Sequence, residues 1–199
     1  MKPKCLKLDH RIICDIIESG SSVLDLGCGD GEHLSLLSEE RSIKGQGIEI
    51  KEEAIYKCVE SGLSVFHSDI DTGLSEYPDK SFDYVILNQS LQEAKNILFV
   101  IDETLRVGKK VIVGFPNFAY VRARTRLFFK GKTPVTKSLP YRWYNTPNLH
   151  FLSISDFIDF CHEKNIKIIR ALYLGKNKVI KILPNLFALN AVFVIENVP

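Results

Sequence analysis

Two hydrophobic periods alternate along the chain. Between Asp9 and Ser19, Ile12, Ile13, Ile16 and Ile17 share one helical stripe. Ser22 to Leu26 is a short apolar run and reads as a strand. Helical spacing returns at Gly31 to Glu40 with Leu34, Leu36 and Leu37. A strand at Gly45–Ile50, a helix at Glu52–Ser61 and a strand at Val65–Asp69 follow. Ser81 to Asn88 holds a continuous apolar run, Phe82 and Tyr84 to Leu87, as strands buried on both faces do. A helix over Asn96–Arg106 stops before Gly108, and Lys109–Phe115 is a fifth strand. Ser153–Lys164 reads as a helix, with Ser153 and Asp156 spaced to cap it. Strands at Ile166–Tyr173 and Leu189–Glu196 end the series.

Strand and helix in alternation predict an α/β fold, a doubly wound, mostly parallel sheet with right-handed crossovers. No helix is expected between the last two strands, so they can pair antiparallel. No internal repeat or linker is visible, and residues 1–199 read as one domain. Asn117 to His150 reads as irregular and is rich in Arg, Tyr and Pro. It comes after the fifth strand, at the edge where open sheets bind ligands, and is expected to be a lid or interface insertion at about 117–150.

With 199 residues, 45% apolar and 25% charged, the composition is that of a globular chain. A net charge of +2 does not by itself point to nucleic acid. No apolar run is long enough to span a membrane, and the N-terminus lacks a signal-peptide core. The odd, scattered cysteines, Cys5, Cys14, Cys28, Cys58 and Cys161, lack zinc-type spacing. They predict reduced thiols in a cytoplasmic protein with no metal site.

The sharpest motif is Val23-Leu24-Asp25-Leu26-Gly27-Cys28-Gly29-Asp30-Gly31, between the first strand and the next helix. Glycines there allow tight turns and close approach of a ligand to the backbone. A dinucleotide fingerprint needs G-x-G-x-x-G, but here the third glycine comes one position early and Glu32 holds its place. A pyrophosphate would meet Asp30 and Glu32, whereas S-adenosylmethionine has no phosphate and carries cationic groups. Glu49, at the end of the second strand, can accept from both ribose hydroxyls. Asp69, at the end of the third, can accept from the adenine amino group with Ile70 against the ring. Asn88 ends the fourth strand, beside the expected methyl-donor pocket. The candidate cofactor-binding residues are Asp25, Gly27, Cys28, Gly29, Gly31, Glu49, Ile50, Asp69, Ile70 and Asn88. Cys28 also reads as a small filler and His67 as structural.

These residues resemble the class I S-adenosylmethionine-dependent methyltransferases. The resemblance implies a Rossmann-like seven-stranded sheet with an antiparallel edge pair. A narrower resemblance is to the methionine biosynthesis protein MetW family. It rests on Val23 to Gly31, Gly73-Leu74, Ser90-Leu91-Gln92, Leu105 to Gly108, Phe115 to Phe118, Pro134 to Tyr141, Trp143-Tyr144, Thr146 to Asn148, His150 and Asn185 to Ala188. The chain departs from that pattern at Tyr120-Val121 and Thr133. The resemblance implies a role in methionine biosynthesis and a homoserine O-acyltransferase as partner.

Two functions from different classes are open. One is an S-adenosylmethionine-binding protein that acts with the acyltransferase. The other is a methyltransferase acting on a small-molecule acceptor. Asn88 is followed by Gln89-Ser90, unlike the Asn-Pro-Pro-aromatic motif of enzymes that methylate nucleic-acid amino groups. Asp71, Tyr141, Tyr144 and His150 are possible acceptor-side groups, although His150 equally suits a loop histidine bonded to backbone. No residue is singled out as catalytic. The basic, aromatic segment Tyr120 to Tyr144 fits a lid and protein interface better than a nucleic-acid surface, and neither nucleic acid nor a membrane is expected as a partner.

Overall fold

A computed structural model describes residues 7–198, so Cys5 lies outside the described residues. In chain order the elements are α1 (Leu8–Ile16), β1 (Ser22–Leu26), α2 (Glu32–Arg41), β2 (Lys44–Glu49), α3 (Glu52–Glu60), β3 (Val65–His67), β4 (Phe82–Asn88), α4 (Ile97–Val107), β5 (Gly108–Pro116), α5 (Val121–Lys130), α6 (Ile154–Glu163), β6 (Ile166–Leu174), α7 (Pro184–Phe187) and β7 (Asn190–Asn197). They form an α/β protein with one seven-stranded sheet, ordered β3-β2-β1-β4-β5-β7-β6. The first five strands run parallel, and β7 pairs antiparallel with both β5 and β6.

The continuous apolar runs of β4 and β5 are explained by burial on both faces. Successive side chains of a strand point to opposite sides. Tyr84, Ile86 and Ile112 pack with Ile13, Leu34 and Leu37 of α1 and α2. Val85, Leu87, Val111 and Val113 pack on the other face with Val100, Ile101 and Leu105 of α4 and Phe157 of α6. Each such fully buried aliphatic side chain stabilises the fold by roughly 2 kcal/mol relative to exposure. Asp83 ties the starts of β4 and β1 together: its Oδ2 accepts from Ser22 N at 2.9 Å and Ser22 Oγ at 2.8 Å.

Two expectations are corrected. Asn117 to His150 is not wholly irregular, because Val121–Lys130 is helical. Ala123 is the one residue of α5 that is buried, so no apolar stripe announced this helix. A short helix, α7, does lie between the last two strands and opens on Pro184 at its first position, where proline is tolerated. The pattern at Ser153 is a complete capping box. Ser153 Oγ accepts from Asp156 N at 3.2 Å, and Asp156 Oδ2 accepts from Ser153 N at 2.8 Å.

Candidate functional site

The strand order reverses between β1 and β4, and the carboxyl ends of strands at such a switch point leave a crevice. A cleft of about 690 Å³ occupies this place, within the size range of small-molecule sites. Its floor includes Asp25, Gly27, Cys28 and Gly29 from the loop after β1 and Asn88 from the end of β4.

Hydrogen bonds stitch this loop to the end of β2. Gly27 N donates to Ile48 O at 2.8 Å, and Gly29 N donates to Glu49 Oε2 at 2.9 Å. Glu49 Oε1 accepts from Ile50 N at 3.0 Å and Lys51 N at 2.9 Å. The buried Glu49 carboxylate is therefore a hub for three backbone donors. At Gly29, φ is +58° and a Cβ would meet nothing within 4 Å, so the backbone faces open space. Gly31, with φ +77°, is different: a Cβ there would lie 2.5 Å from Leu63 Cδ1 and 2.9 Å from Cys58 Sγ. Gly31 thus serves close packing against Cys58 of α3 and Leu63 beyond its end. Cys28 fills the space over Gly47, where a Cβ would lie 2.5 Å from its Sγ, and burial raises its thiol pKa.

Asp25 is 3% exposed. Burial, and then the charge of Glu49, push its carboxyl up to about 7. His33 Nδ1 stands 3.8 Å from Asp25 Oδ2, beyond hydrogen-bond reach. Burial, and then neighbouring His10, hold His33 down at about 3, so it offers Asp25 no positive charge at neutral pH. The rings of His10 and His33 stack with centroids 4.5 Å apart. The N-terminus of α2 is capped by Gly31 without a side-chain hydrogen bond.

Of the predicted residues, Gly31, Glu49, Ile50, Asp69 and Ile70 are not among those that line the cleft. Ile50 is 53% exposed just beyond Glu49. Asp69 Oδ1 accepts from Asp71 N at 3.0 Å, and its Oδ2 stands 3.9 Å from Lys95 Nζ. Ile70 packs against the core under α4. Of the possible acceptor-side groups, Tyr141 lines the cleft. Tyr144 lines a separate groove, and His150 is exposed with its backbone N–H donating to Gln92 O. Asp71 is spent on Lys95 N and Asn96 N. His67 sits exposed at the end of β3 with Nε2 3.0 Å from Ile50 O.

Several lining residues had no motif to announce them. Asp9 and His10 of α1 close one side, and Asp9 Oδ2 accepts from Asn88 Nδ2 at 3.3 Å. Gln92, Lys137 and Asn190 come from three other segments. His10 Nδ1, both His33 ring nitrogens, Asn88 Oδ1, Gln92 Oε1 and Asn190 Oδ1 are buried without a hydrogen-bond partner. That concentration is unusual, because native proteins satisfy most buried polar atoms. Among the described residues no group of three His, Cys, Asp or Glu could hold a metal ion. No helix among them is long and apolar enough to cross a membrane.

The family model described as methionine biosynthesis protein MetW matches residues 7–195. The chain belongs to the MetW family. A similar protein is the bifunctional methionine biosynthesis protein MetXA/MetW of Rhodopirellula baltica, 37% identical over 172 residues. That match covers 82% of this chain but only 28% of the relative's length. In fold, the chain is similar to an S-adenosylmethionine-dependent methyltransferase of Thermotoga maritima described as a possible histamine N-methyltransferase. The TM-score is 0.67 at 16% identity, covering 96% of this chain and 88% of that one. It is also similar to a chain of the complex between the Haloferax volcanii Trm112 methyltransferase activator and a putative methyltransferase. There the TM-score is 0.65 at 15% identity, covering 90% and 84%. The sheet of this MetW member is thus of the class I methyltransferase type.

Proposed function

We propose that this chain binds S-adenosylmethionine in the cleft at the β1–β4 switch point and acts in methionine biosynthesis together with a homoserine O-acyltransferase. The observation that carries the ligand is the pairing of an open backbone at Gly29 with a buried carboxyl at Asp25 that no Lys or Arg among the described residues pairs. Such a carboxyl suits a ligand that brings its own positive charge. Gly27, Gly29, Asp25 and Asn88 would hold the methionine end. Glu49, Ile50, Asp69 and Ile70 would hold the nucleoside, along the ends of β2 and β3. Glu49 keeps accepting capacity on Oε2, which takes one hydrogen bond in this structure. When bound, the sulfonium supplies an activated methyl group. The protein's own part is to position the ligand and keep Asp25 out of water.

The partner reading is supported by the family and by the relative that joins two named methionine-biosynthesis parts in one chain. Fold alone does not establish methyl transfer. The test is calorimetry with S-adenosylmethionine and with NAD, on wild type and Glu49→Ala, alongside co-purification with the homoserine O-acyltransferase of the same source. Micromolar S-adenosylmethionine affinity that weakens in the variant, no NAD binding, and a stable complex are expected. Absence of S-adenosylmethionine binding by both the chain and its complex refutes the ligand. Turnover to S-adenosylhomocysteine with a defined acceptor would favour an active methyltransferase instead.

A further inference from the structure

The segment between β5 and α6 concentrates positive charge. Arg122, Arg124, Arg126 and Lys130 lie on α5, and Lys132, Lys137 and Arg142 come after it. No Asp or Glu occurs from residue 104 to residue 155, so this charge has no local compensation. Among the described residues none of these seven cations forms an ion pair. Lys137 reaches the cleft; the other six lie along α5 and the loop beyond it.

Large apolar side chains stand among these cations. Phe128 is 83% exposed, Phe129 77% and Trp143 75%. Phe128 and Phe129 meet edge to face, with centroids 4.9 Å apart and planes at 85°. Trp143 and Tyr144 do the same at 5.7 Å and 89°. Beside the Trp143–Tyr144 pair runs a groove of about 530 Å³, lined by Arg126, Lys132, Arg142, Trp143 and Tyr144 with no acidic side chain. Arg126 Nε beside it is buried without an acceptor. Exposed aromatics of this size carry a solvation cost that only a covering surface removes.

We infer that α5 and the loop through Tyr144 form the docking surface for a protein partner whose contact face has an acidic rim around an apolar recess. The inference rests on the partner reading above, and the occupant is that acyltransferase. Exposed aromatics together with arginines are the composition of interface hot spots. Single-stranded RNA fits less well. Base stacking needs open, successive ring faces, and perpendicular pairs present a compact knob instead. A bilayer fits less well too, because the exposed apolar groups of α5 sit at one end, Leu127 to Phe129, rather than as a stripe along it. The surface also reaches the ligand site: Tyr141 lines the cleft and Arg142, the next residue, lines the groove.

The experiment measures binding of the full chain to the acyltransferase by surface plasmon resonance. It uses wild type, the double variant Phe128→Ser with Phe129→Ser, and the charge variant Arg122→Glu with Lys132→Glu. Urea midpoints and S-adenosylmethionine affinities of the variants check folding. The double variant should lose affinity about 100-fold or more, as truncation of two anchor residues does. The charge variant should associate more slowly and show weaker salt dependence. If wild type binds and both variants bind equally well, the docking surface is wrong while the partner reading stands. If wild type does not bind the acyltransferase, the partner reading falls and takes this surface with it. If a single-stranded RNA oligonucleotide or phosphatidylserine vesicles bind wild type, and lose that binding in the double variant while the acyltransferase does not, the surface serves another class of partner and the inference is overturned.

Discussion

Two glycines of one loop separate what the fold needs from what the ligand needs. Gly29 and Gly31 both have positive φ, +58° and +77°. Replacing either by alanine therefore incurs the left-handed penalty of about 1–2 kcal/mol. At Gly29 nothing else is added, because a Cβ there meets nothing within 4 Å. At Gly31 the Cβ would lie 2.5 Å from Leu63 Cδ1 and 2.9 Å from Cys58 Sγ, and Cys58 is fully buried. Overpacking of that kind adds about 1–3 kcal/mol. Gly31→Ala is expected to lose about 2–5 kcal/mol of stability and Gly29→Ala about 1–2 kcal/mol. Urea unfolding with unchanged m-values measures both losses. In calorimetry Gly29→Ala should bind S-adenosylmethionine at least tenfold more weakly, since its methyl group enters the space the ligand backbone contact requires. Equal stability losses would refute the packing assignment of Gly31. Unchanged affinity in Gly29→Ala would show that the ligand does not lie against this backbone.

Other expectations concern charge and capping. Because burial raises Asp25 to about 7, S-adenosylmethionine affinity should weaken as pH falls through 7 and the carboxyl takes up its proton. Asp25→Asn should bind weakly at every pH, with that dependence gone, and a wild-type profile flat across pH 7 would contradict the role. For stability the signs of Asp25 and His33 oppose each other. Asp25, raised from 3.8 to about 7, contributes stability that is full below 3.8 and lost as pH rises through 7. His33, lowered from 6.5 to about 3, contributes stability that is full above 6.5 and lost as pH falls toward 3. The two slopes offset one another between 3.8 and 6.5, so thermal melts of Asp25→Asn should fall more steeply with acidification than those of wild type. At α6, Ser153→Ala removes the acceptor for Asp156 N and should cost about 1 kcal/mol, read as a lower urea midpoint.

The order of the central elements was legible because strands such as β4 and β5 are buried on two faces and helices such as α1 and α4 on one stripe, and burial writes itself into local hydrophobic period. The glycine loop was legible because spacing within a single turn is a local property. The capping box at Ser153 was local as well. The helix α5 was not, since without a buried stripe it resembles a polar loop. Nor was the second wall of the cleft. Asp9, His10, His33, Gln92 and Asn190 are scattered along the chain, and nothing in their flanking residues marks them. Only the crossover topology brings α1 and β7 to the same sheet edge as the loop after β1. The different duties of Gly29 and Gly31 were hidden for the same reason. Sequence shows two glycines two positions apart, and tertiary packing puts open space over one and the buried thiol of Cys58 over the other. The sequence by itself determined which residue types stand at each strand end. The raised pKa of Asp25 was decided only by the structure, because desolvation depends on neighbours that are far away along the chain.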